Sequence, residues 1–188
     1  MIDLFGEWYD FLERPENDGQ PLHITPEDPG GATAWGWTYQ TWRVLAPRHG
    51  IVDVSLDAFR QQTRETLRPM TYVFFWAAYN CQFMPPGFGL FWADFQFGSG
   101  RATRVLQEVL GVTPDGVVGH LETLPALARI TDPAERVKML DRFYQARVAY
   151  YDTLPDHDHW PGWYRRAEQC VVLAKQLAVV PRTQENAL

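Results

Sequence analysis

Between Asn17 and Thr38 the chain lacks the helical spacing of apolar residues that flanks it on both sides, and the centre of this gap reads Asp28-Pro-Gly-Gly-Ala-Thr-Ala-Trp-Gly-Trp-Thr38. Such a stretch cannot continue a helix. Pro presets φ for a turn, and Gly30, Gly31 and Gly36 reach backbone conformations that a Cβ disfavours. Leu22 to Thr25 and Ala32 to Trp37 therefore read as two short strands of a hairpin closed by the turn residues between them. Because the rest of the chain is helical in pattern, the fold class is mainly α, an α-rich or α+β domain with one small β-hairpin. The same stretch brings together a carboxylate at Asp28, a hydroxyl at Thr33, flat rings at Trp35 and Trp37, and backbone that can approach a ligand closely. It reads as an active-site loop on a rigid support.

The helices announce themselves by caps and breakers. Leu4, Phe5, Trp8, Phe11 and Leu12 recur at helical spacing behind Asp3, giving an amphipathic helix from Asp3 to about Glu13, which Pro15 ends. Thr38 caps a helix through Leu45, closed by Pro47 and Gly50. Ser55 caps a further one to about Leu67, and Pro69 interrupts before Tyr72 to Tyr79, a run apolar all round that reads as a buried segment, with the adjacent helices favouring helix over strand. Met84-Pro-Pro-Gly87 is a break, and Phe88 to Phe97 begins a second buried segment. Gly98-Ser-Gly100 separates that from a helix over Ala102 to Leu110, ended by Gly111. Pro114-Asp-Gly116 is a turn, and His120 to Ile130 a further helix. Asp132-Pro133-Ala-Glu135 combines a cap, a proline at the first helical position and a glutamate three residues after the cap. It opens a helix to about Thr153, with Val137, Leu140, Tyr144 and Tyr151 expected on its buried face. Asp156 to His159 is a loop, Gly162 to Val180 the last helix, and the polar tail from Pro181 frays.

Several function classes are disfavoured. A net charge of -6 over 188 residues is the wrong sign for a nucleic-acid footprint and offers no attraction to an anionic membrane. No run approaches the ~18 apolar residues of a membrane span. Met1 to Asp10 is acidic and has no signal-peptide pattern, so the expectation is a chain that starts in the cytoplasm and needs another component to act outside it. Cys81 and Cys170 have no paired zinc-type spacing and are expected as two buried free thiols, although a disulfide formed after export stays open. His23, His49, His120, His157 and His159 form no metal-ligand motif, and Asp156-His-Asp-His159 reads as a solvated loop. Ser55 and Ser99 lack a nucleophile elbow, and Gly98-Ser-Gly100 does not match a phosphate loop. No metal or organic cofactor is implied. Aromatic residues, at 14%, exceed the ordinary share, which leaves rings available for a groove as well as for the core.

A glutamate at the end of an apolar helix, followed by an aspartate and a threonine on a hairpin, suits glycoside hydrolysis. That reaction needs a protonated carboxyl to give a proton to the leaving oxygen and a second group to handle water or the sugar cation. Glu13 and Glu16 both stand at the helix end. Packing against Trp8 or Phe11 would desolvate such a carboxyl and raise its pKa. Asp28 on a solvated loop would stay ionised, and Thr33 could hold water beside it. Solvated helix-end charges, a turn aspartate and a strand threonine would give the same spacing.

Longer motifs narrow the choice. Asp28-Pro-Gly-Gly-Ala-Thr33 is followed by Gly36-Trp-Thr38, and farther on come Gly98-Ser-Gly-Arg-Ala102, Leu106-Gln107, Leu110-Gly111-Val112, Asp115-Gly116-Val-Val-Gly119 and Thr123-Leu124. Tyr150-Tyr151, Leu154-Pro155, Gly162-Trp163 and Arg166 close the series. In this order the chain resembles the glycoside hydrolase family 108 muramidases, phage and prophage lysozymes with a lysozyme-like catalytic part and a C-terminal predicted peptidoglycan-binding segment. Where the family often carries Asp and Asn ahead of the Gly-Ser-Gly match, this chain has Trp92 and Gln96.

The resemblance implies a lysozyme-like catalytic part over residues 1–86, a helical C-terminal predicted peptidoglycan-binding part over 87–180 packed with it as one compact unit, and a flexible tail over 181–188. It implies an N-acetylmuramidase of bacterial peptidoglycan, a monomeric endolysin cleaving the β-1,4 bond between N-acetylmuramic acid and N-acetylglucosamine, and reaching the wall by a holin or a virion. Asp28 and Thr33 match the second and third members of the family's Glu, Asp and Thr set. For the first, Glu16 leads Glu-Asn-Asp-Gly, nearest to the family's Glu-Gly-Gly, and is favoured over Glu13. Eleven residues separate Glu16 from Asp28 and fourteen separate Glu13 from it, so either choice needs an insertion around Asp18 to Leu22. Trp35, Trp37 and Tyr39 are the candidate lining of a glycan groove. Two rivals remain: a non-catalytic wall-binding or scaffold module, and a lytic transglycosylase, which needs the acid but no water-positioning partner. Whether the reaction inverts or retains depends on a carboxyl separation that sequence does not supply.

Overall fold

The structure, a computed structural model, describes residues 3–12, 14, 22–24, 32–155 and 160–180. The expected loop at Asp156 to His159 and the tail from Pro181 lie outside the described residues. The chain is mainly helical with one small antiparallel sheet, and it divides into two compact units, Tyr9–Phe75 and a second made by the residues up to Trp8 together with those from Trp76 onward.

Helix α1, Leu4–Leu12, starts where expected. Asp3 caps it, its Oδ1 accepting from the Gly6 N–H at 2.9 Å. In the Tyr9–Phe75 unit, β1 (His23–Ile24), β2 (Ala32–Ala34) and β3 (Trp37–Thr38) form a three-stranded antiparallel sheet with β2 at its centre. The expected hairpin is present as β1 against β2, but the second strand does not run on to Trp37. It turns at Trp35-Gly36, and β3 comes back along it in the register Ala34↔Trp37. Thr38 then caps α2, Tyr39–Leu45, as its sequence predicts, its hydroxyl accepting from the Thr41 N–H. A 3-10 turn over Ala46–His49 ends at Gly50 in the left-handed region.

The single helix expected from Ser55 to Leu67 is two helices. Ser55 caps α3, Leu56–Arg60, and Thr63 opens α4, Arg64–Thr71, with a reciprocal capping box to Thr66. Pro69 does not end α4 but sits inside it, and past Thr71 the chain widens into a π turn over Tyr72–Trp76 and tightens into a 3-10 turn over Ala77–Tyr79. Proline removes an interior hydrogen bond and crowds the preceding turn, which favours such irregularity close behind it. The aromatic run is also less buried than its composition suggests. Trp76 is buried, but Tyr72 and Val73 are 41% and 43% exposed. The core of this unit is Trp37, Trp42, Phe59, Leu67 and Met70, with Tyr9, Phe11 and Leu12 from α1. Trp42 meets Phe59 at 5.2 Å between ring centroids.

The second unit is built on α5, Phe88–Ser99, which is buried continuously from Phe88 to Phe95. A helix apolar all round belongs at the centre of a helical layer, and α8 (Pro133–Asp152) and α9 (Trp160–Ala178) pack on each other beside it. Gly87, at φ 87°, permits the closest approach. A Cβ there would lie 2.2 Å from the carbonyl oxygen of Ala174. Asp94 is the one carboxylate within this apolar stretch. It is 0% exposed, accepts from Arg147 Nη2 on one oxygen at 2.8 Å, and from Arg166 Nε and Nη2 on the other at 3.0 and 2.7 Å. Arg147 also lies over the rings of Phe91, Phe95 and Tyr151. On α8 the buried set is Leu140, Phe143, Arg147 and Tyr151; Val137 and Tyr144, expected there, are half-buried.

Helices α6 (Ala102–Leu110) and α7 (Thr123–Ala128) are joined by a loop organised around Gln107. Its Nε2 lies 2.6 Å from Asp115 Oδ1, 3.1 Å from Val117 O and 3.0 Å from Thr123 Oγ1, and its Oε1 accepts from the Gly116 N–H at 2.8 Å. The motif residues Gln107, Asp115, Gly116 and Thr123 thus close one polar knot. Cys81 and Cys170 are both buried thiols. Burial pushes both thiols well above the ordinary cysteine range, which makes them packing residues rather than nucleophiles.

Candidate functional site

Thr33 is the one residue of the expected Glu, Asp and Thr set among the described residues; Glu13, Glu16 and Asp28 lie outside them. Its position is fixed from both sides, because it pairs with His23 on β1 and with Thr38 on β3. It is 7% exposed, and its hydroxyl is buried without a hydrogen-bond partner among the described residues. A buried hydroxyl left in that state costs ~1–3 kcal/mol, and native structures retain few of them without a reason. On β3, by contrast, the indole of Trp37 donates to Thr71 Oγ1 at 3.0 Å, and the Thr71 hydroxyl donates onward to Leu67 O at 2.9 Å.

The turn beside Thr33 is unusual. Trp35 and Gly36 form a two-residue loop with φ of 52° and 78°, the type I′ geometry that matches strand twist and favours Asn-Gly. A tryptophan at the first of these positions holds its backbone in a region that costs a bulky residue ~1–3 kcal/mol. Its half-buried side chain is anchored at one edge, where Nε1 donates to Gln62 O at 3.2 Å. Tyr39, the first residue of α2, is also half-buried. Its hydroxyl donates to Val54 O at 2.9 Å, its ring contacts Trp42 and Phe59, and the Arg43 guanidinium lies over it at 5.8 Å. Trp37 is different. At 1% exposure, with its ring edge-on to Phe75 at 5.2 Å, it has no face left to offer a ligand, and the expectation that it lines a groove gives way to a place in the core.

Thr33, Trp35, Trp37 and Tyr39 thus arrive on one short path through β2, β3 and the start of α2. Two supporting residues were not foreseen. Thr71 satisfies the Trp37 indole, and Gln62 holds that of Trp35. The signal for the second was available, since Thr63 and Thr66 have capping-box spacing directly after Gln62. Among the described residues no group of three or more His, Cys, Asp and Glu side chains is placed to hold a metal ion, and no helix is long and apolar enough to cross a membrane. The chemistry on offer is a dry hydroxyl able to bind water or a sugar oxygen, beside an aromatic ring held at one edge.

Residues 17–100 match the family model described as Glycosyl hydrolase 108. No curated protein matches the chain. Among solved structures, SagA from Brucella abortus matches with a TM-score of 0.76 and 24% identity, over 93% of this chain and 97% of that one. At that identity the match establishes a common fold, and it extends over nearly the whole of both chains.

Proposed function

We propose that the chain is a glycosidase acting on peptidoglycan, an N-acetylmuramidase cleaving the β-1,4 bond between N-acetylmuramic acid and N-acetylglucosamine, a reading supported by the match of residues 17–100 to the family model described as Glycosyl hydrolase 108. Glu16 protonates the leaving oxygen, Asp28 remains ionised, and Thr33 positions the attacking water with it. The observation that carries this reading is the Thr33 hydroxyl, held rigidly at the centre of the sheet and left without a partner among the described residues. A water-positioning group needs such an uncommitted hydroxyl, whereas a purely structural threonine in so dry a place would be expected to bond a neighbour. Trp35 and Tyr39 supply the part-exposed rings for the glycan. The helical part over residues 87–180 is assigned to wall binding, and the enzyme to phage or prophage lysis, with delivery by a holin or a virion; both assignments rest on the motif series that runs through that half.

The test is muropeptide release from purified peptidoglycan by wild type, Glu16→Gln and Glu13→Gln, each checked for folding. The expected result is reducing muramic acid ends from wild type and from Glu13→Gln, and a loss of at least ~10²-fold for Glu16→Gln. Products with 1,6-anhydro ends would make the enzyme a lytic transglycosylase. Binding without release would make it a wall-binding module.

A further inference from the structure

The indole of Trp35 is held by a carbonyl that is itself clamped. Gln62 lies in the short connection between α3 and α4, and its side chain reaches both helices. Nε2 donates to Ala58 O at 3.0 Å, and Oε1 lies 3.1 Å from Thr66 Oγ1, whose single proton it shares with Thr63 O at 3.0 Å. Thr66 in turn receives the Thr63 N–H at 2.9 Å, while Thr63 Oγ1 accepts from the Thr66 N–H at 3.3 Å. The Gln62 N–H donates to Phe59 O at 3.0 Å. A carbonyl in a helix-to-helix corner ordinarily tilts with the corner. Here the side chain of the same residue and the capping box beside it hold the corner in place, so Gln62 O stays aimed at Trp35 Nε1.

The type I′ turn would be more stable with asparagine at position 35, and the indole contributes only one hydrogen bond to Gln62. A bulky ring kept in a strained turn, tied at its nitrogen and left half-buried, is organised as a platform with its orientation set in advance. We infer that Gln62 and Thr66 are positioning residues for glycan binding: they fix the Trp35 ring so that its face meets the C–H face of one N-acetylhexosamine of the strand. This rests on the glycosidase reading above. Ordering the ring before the sugar arrives lowers the cost of binding, and an interaction that serves substrate and transition state alike moves KM rather than kcat.

Two measurements test it. The first is steady-state kinetics on soluble glycan strands for wild type, Gln62→Ala, Thr66→Val, Thr66→Ser, Trp35→Ala and the double variant Trp35→Ala/Gln62→Ala. Gln62→Ala and Thr66→Val are expected to raise KM about fivefold with kcat within about twofold, Thr66→Ser to restore wild-type KM, and the double variant to match Trp35→Ala alone. An effect of Gln62→Ala that persists undiminished in the Trp35→Ala background would overturn the proposal, because the residue would then be acting on the fold and not on the ring. The second is 19F NMR of the 5-fluorotryptophan-labelled protein, with the Trp35 line assigned by its loss in Trp35→Phe. In Gln62→Ala this line should shift and broaden while the protein stays folded by circular dichroism. An unmoved line sinks the proposal. Because the NMR measurement needs no turnover, it decides the hold on Trp35 even if wild type releases nothing from peptidoglycan, an outcome that would count against the glycosidase reading instead.

Discussion

Thr33→Val separates a functional threonine from a structural one by the sign of its effect on stability. Valine has nearly the volume of threonine and suits a strand at least as well, so the substitution removes a hydroxyl and little else. The hydroxyl is in a residue 7% exposed and has no partner among the described residues. Burying it in that state costs ~1–3 kcal/mol, and an apolar group of the same shape recovers that cost. Allowing for the remaining access to water, the net gain should be about 1 kcal/mol. For a chain of this length the melting temperature should rise by ~2–4 °C. Activity moves the other way. If the hydroxyl bonds the attacking water in the transition state, its loss removes one buried hydrogen bond, or ~1–3 kcal/mol of barrier lowering, which is roughly 5-fold to 150-fold in rate. Thermal unfolding followed by circular dichroism, with reducing-end release measured on the same preparation, reads both quantities. A variant that loses more than about 1 kcal/mol of stability and releases muropeptides at the wild-type rate would refute the reasoning, because the hydroxyl would then be bonded in the native protein and idle in the reaction.

Asp94→Asn should be severely destabilising, since it leaves the guanidiniums of Arg147 and Arg166 without their carboxylate; breaking such a buried pair costs ~3–5 kcal/mol, or a fall of roughly 6–20 °C in melting temperature. Arg166→Met, which leaves Arg147 on the other oxygen, should cost less by the same assay. Burial alone pushes the Asp94 carboxyl up, but the charges and hydrogen bonds of Arg166 and Arg147 outweigh it and hold the carboxyl below its ordinary value. Its stabilising contribution is therefore present above the unfolded pKa near ~3.9 and is lost as pH falls through the lower folded value; urea titrations across that acid range should show a steeper pH dependence for wild type than for Asp94→Asn. Gly87→Ala should destabilise by more than ~3 kcal/mol, because its Cβ would meet a backbone carbonyl at 2.2 Å with φ at 87°; Gly98→Ala, with open space around its Cβ, is the control expected to be silent in the same melt.

Local signals were legible in the sequence where one residue settles the matter. Asp3, Thr38, Ser55 and Asp132 each cap the helix expected of them, and Gly100 and Gly111 end theirs in the left-handed region. Signals that depend on a competing residue nearby were misread. Thr63 restarts a helix within a pattern that looked continuous, Pro69 is absorbed inside α4, and Trp35-Gly36 makes a second turn where a single strand from Ala32 to Trp37 was expected. Burial was harder still. Trp35 and Trp37 are two residues apart and chemically the same, yet one is tied to a loop carbonyl and the other fills the core, a difference decided by Gln62 and Thr71 far along the chain. Asp94 was invisible as a centre of charge because its partners lie on other helices. At the site, Thr33 stood out through its motif, and its orphaned hydroxyl became visible only once the sheet closed around it.

Those distant partners also set a timetable. Arg147 follows Asp94 by 53 residues and Arg166 follows it by 72, so on a ribosome the carboxylate emerges long before either of the charges that allow it to be buried. Phe5 and Trp8 pack on Trp76, far downstream of them, in the same unit. The segment up to Trp8 and helix α9 therefore belong to one body, while the stretch from Tyr9 to Phe75 is fully synthesised before α9 emerges. A stop codon ahead of α9 would remove more than a helix. It would leave the Asp94 carboxylate, in the middle of an apolar helix, with Arg147 but without Arg166, and would bare the side of α5 on which α9 packs, so the nascent product would be a substrate for quality control rather than a smaller working protein.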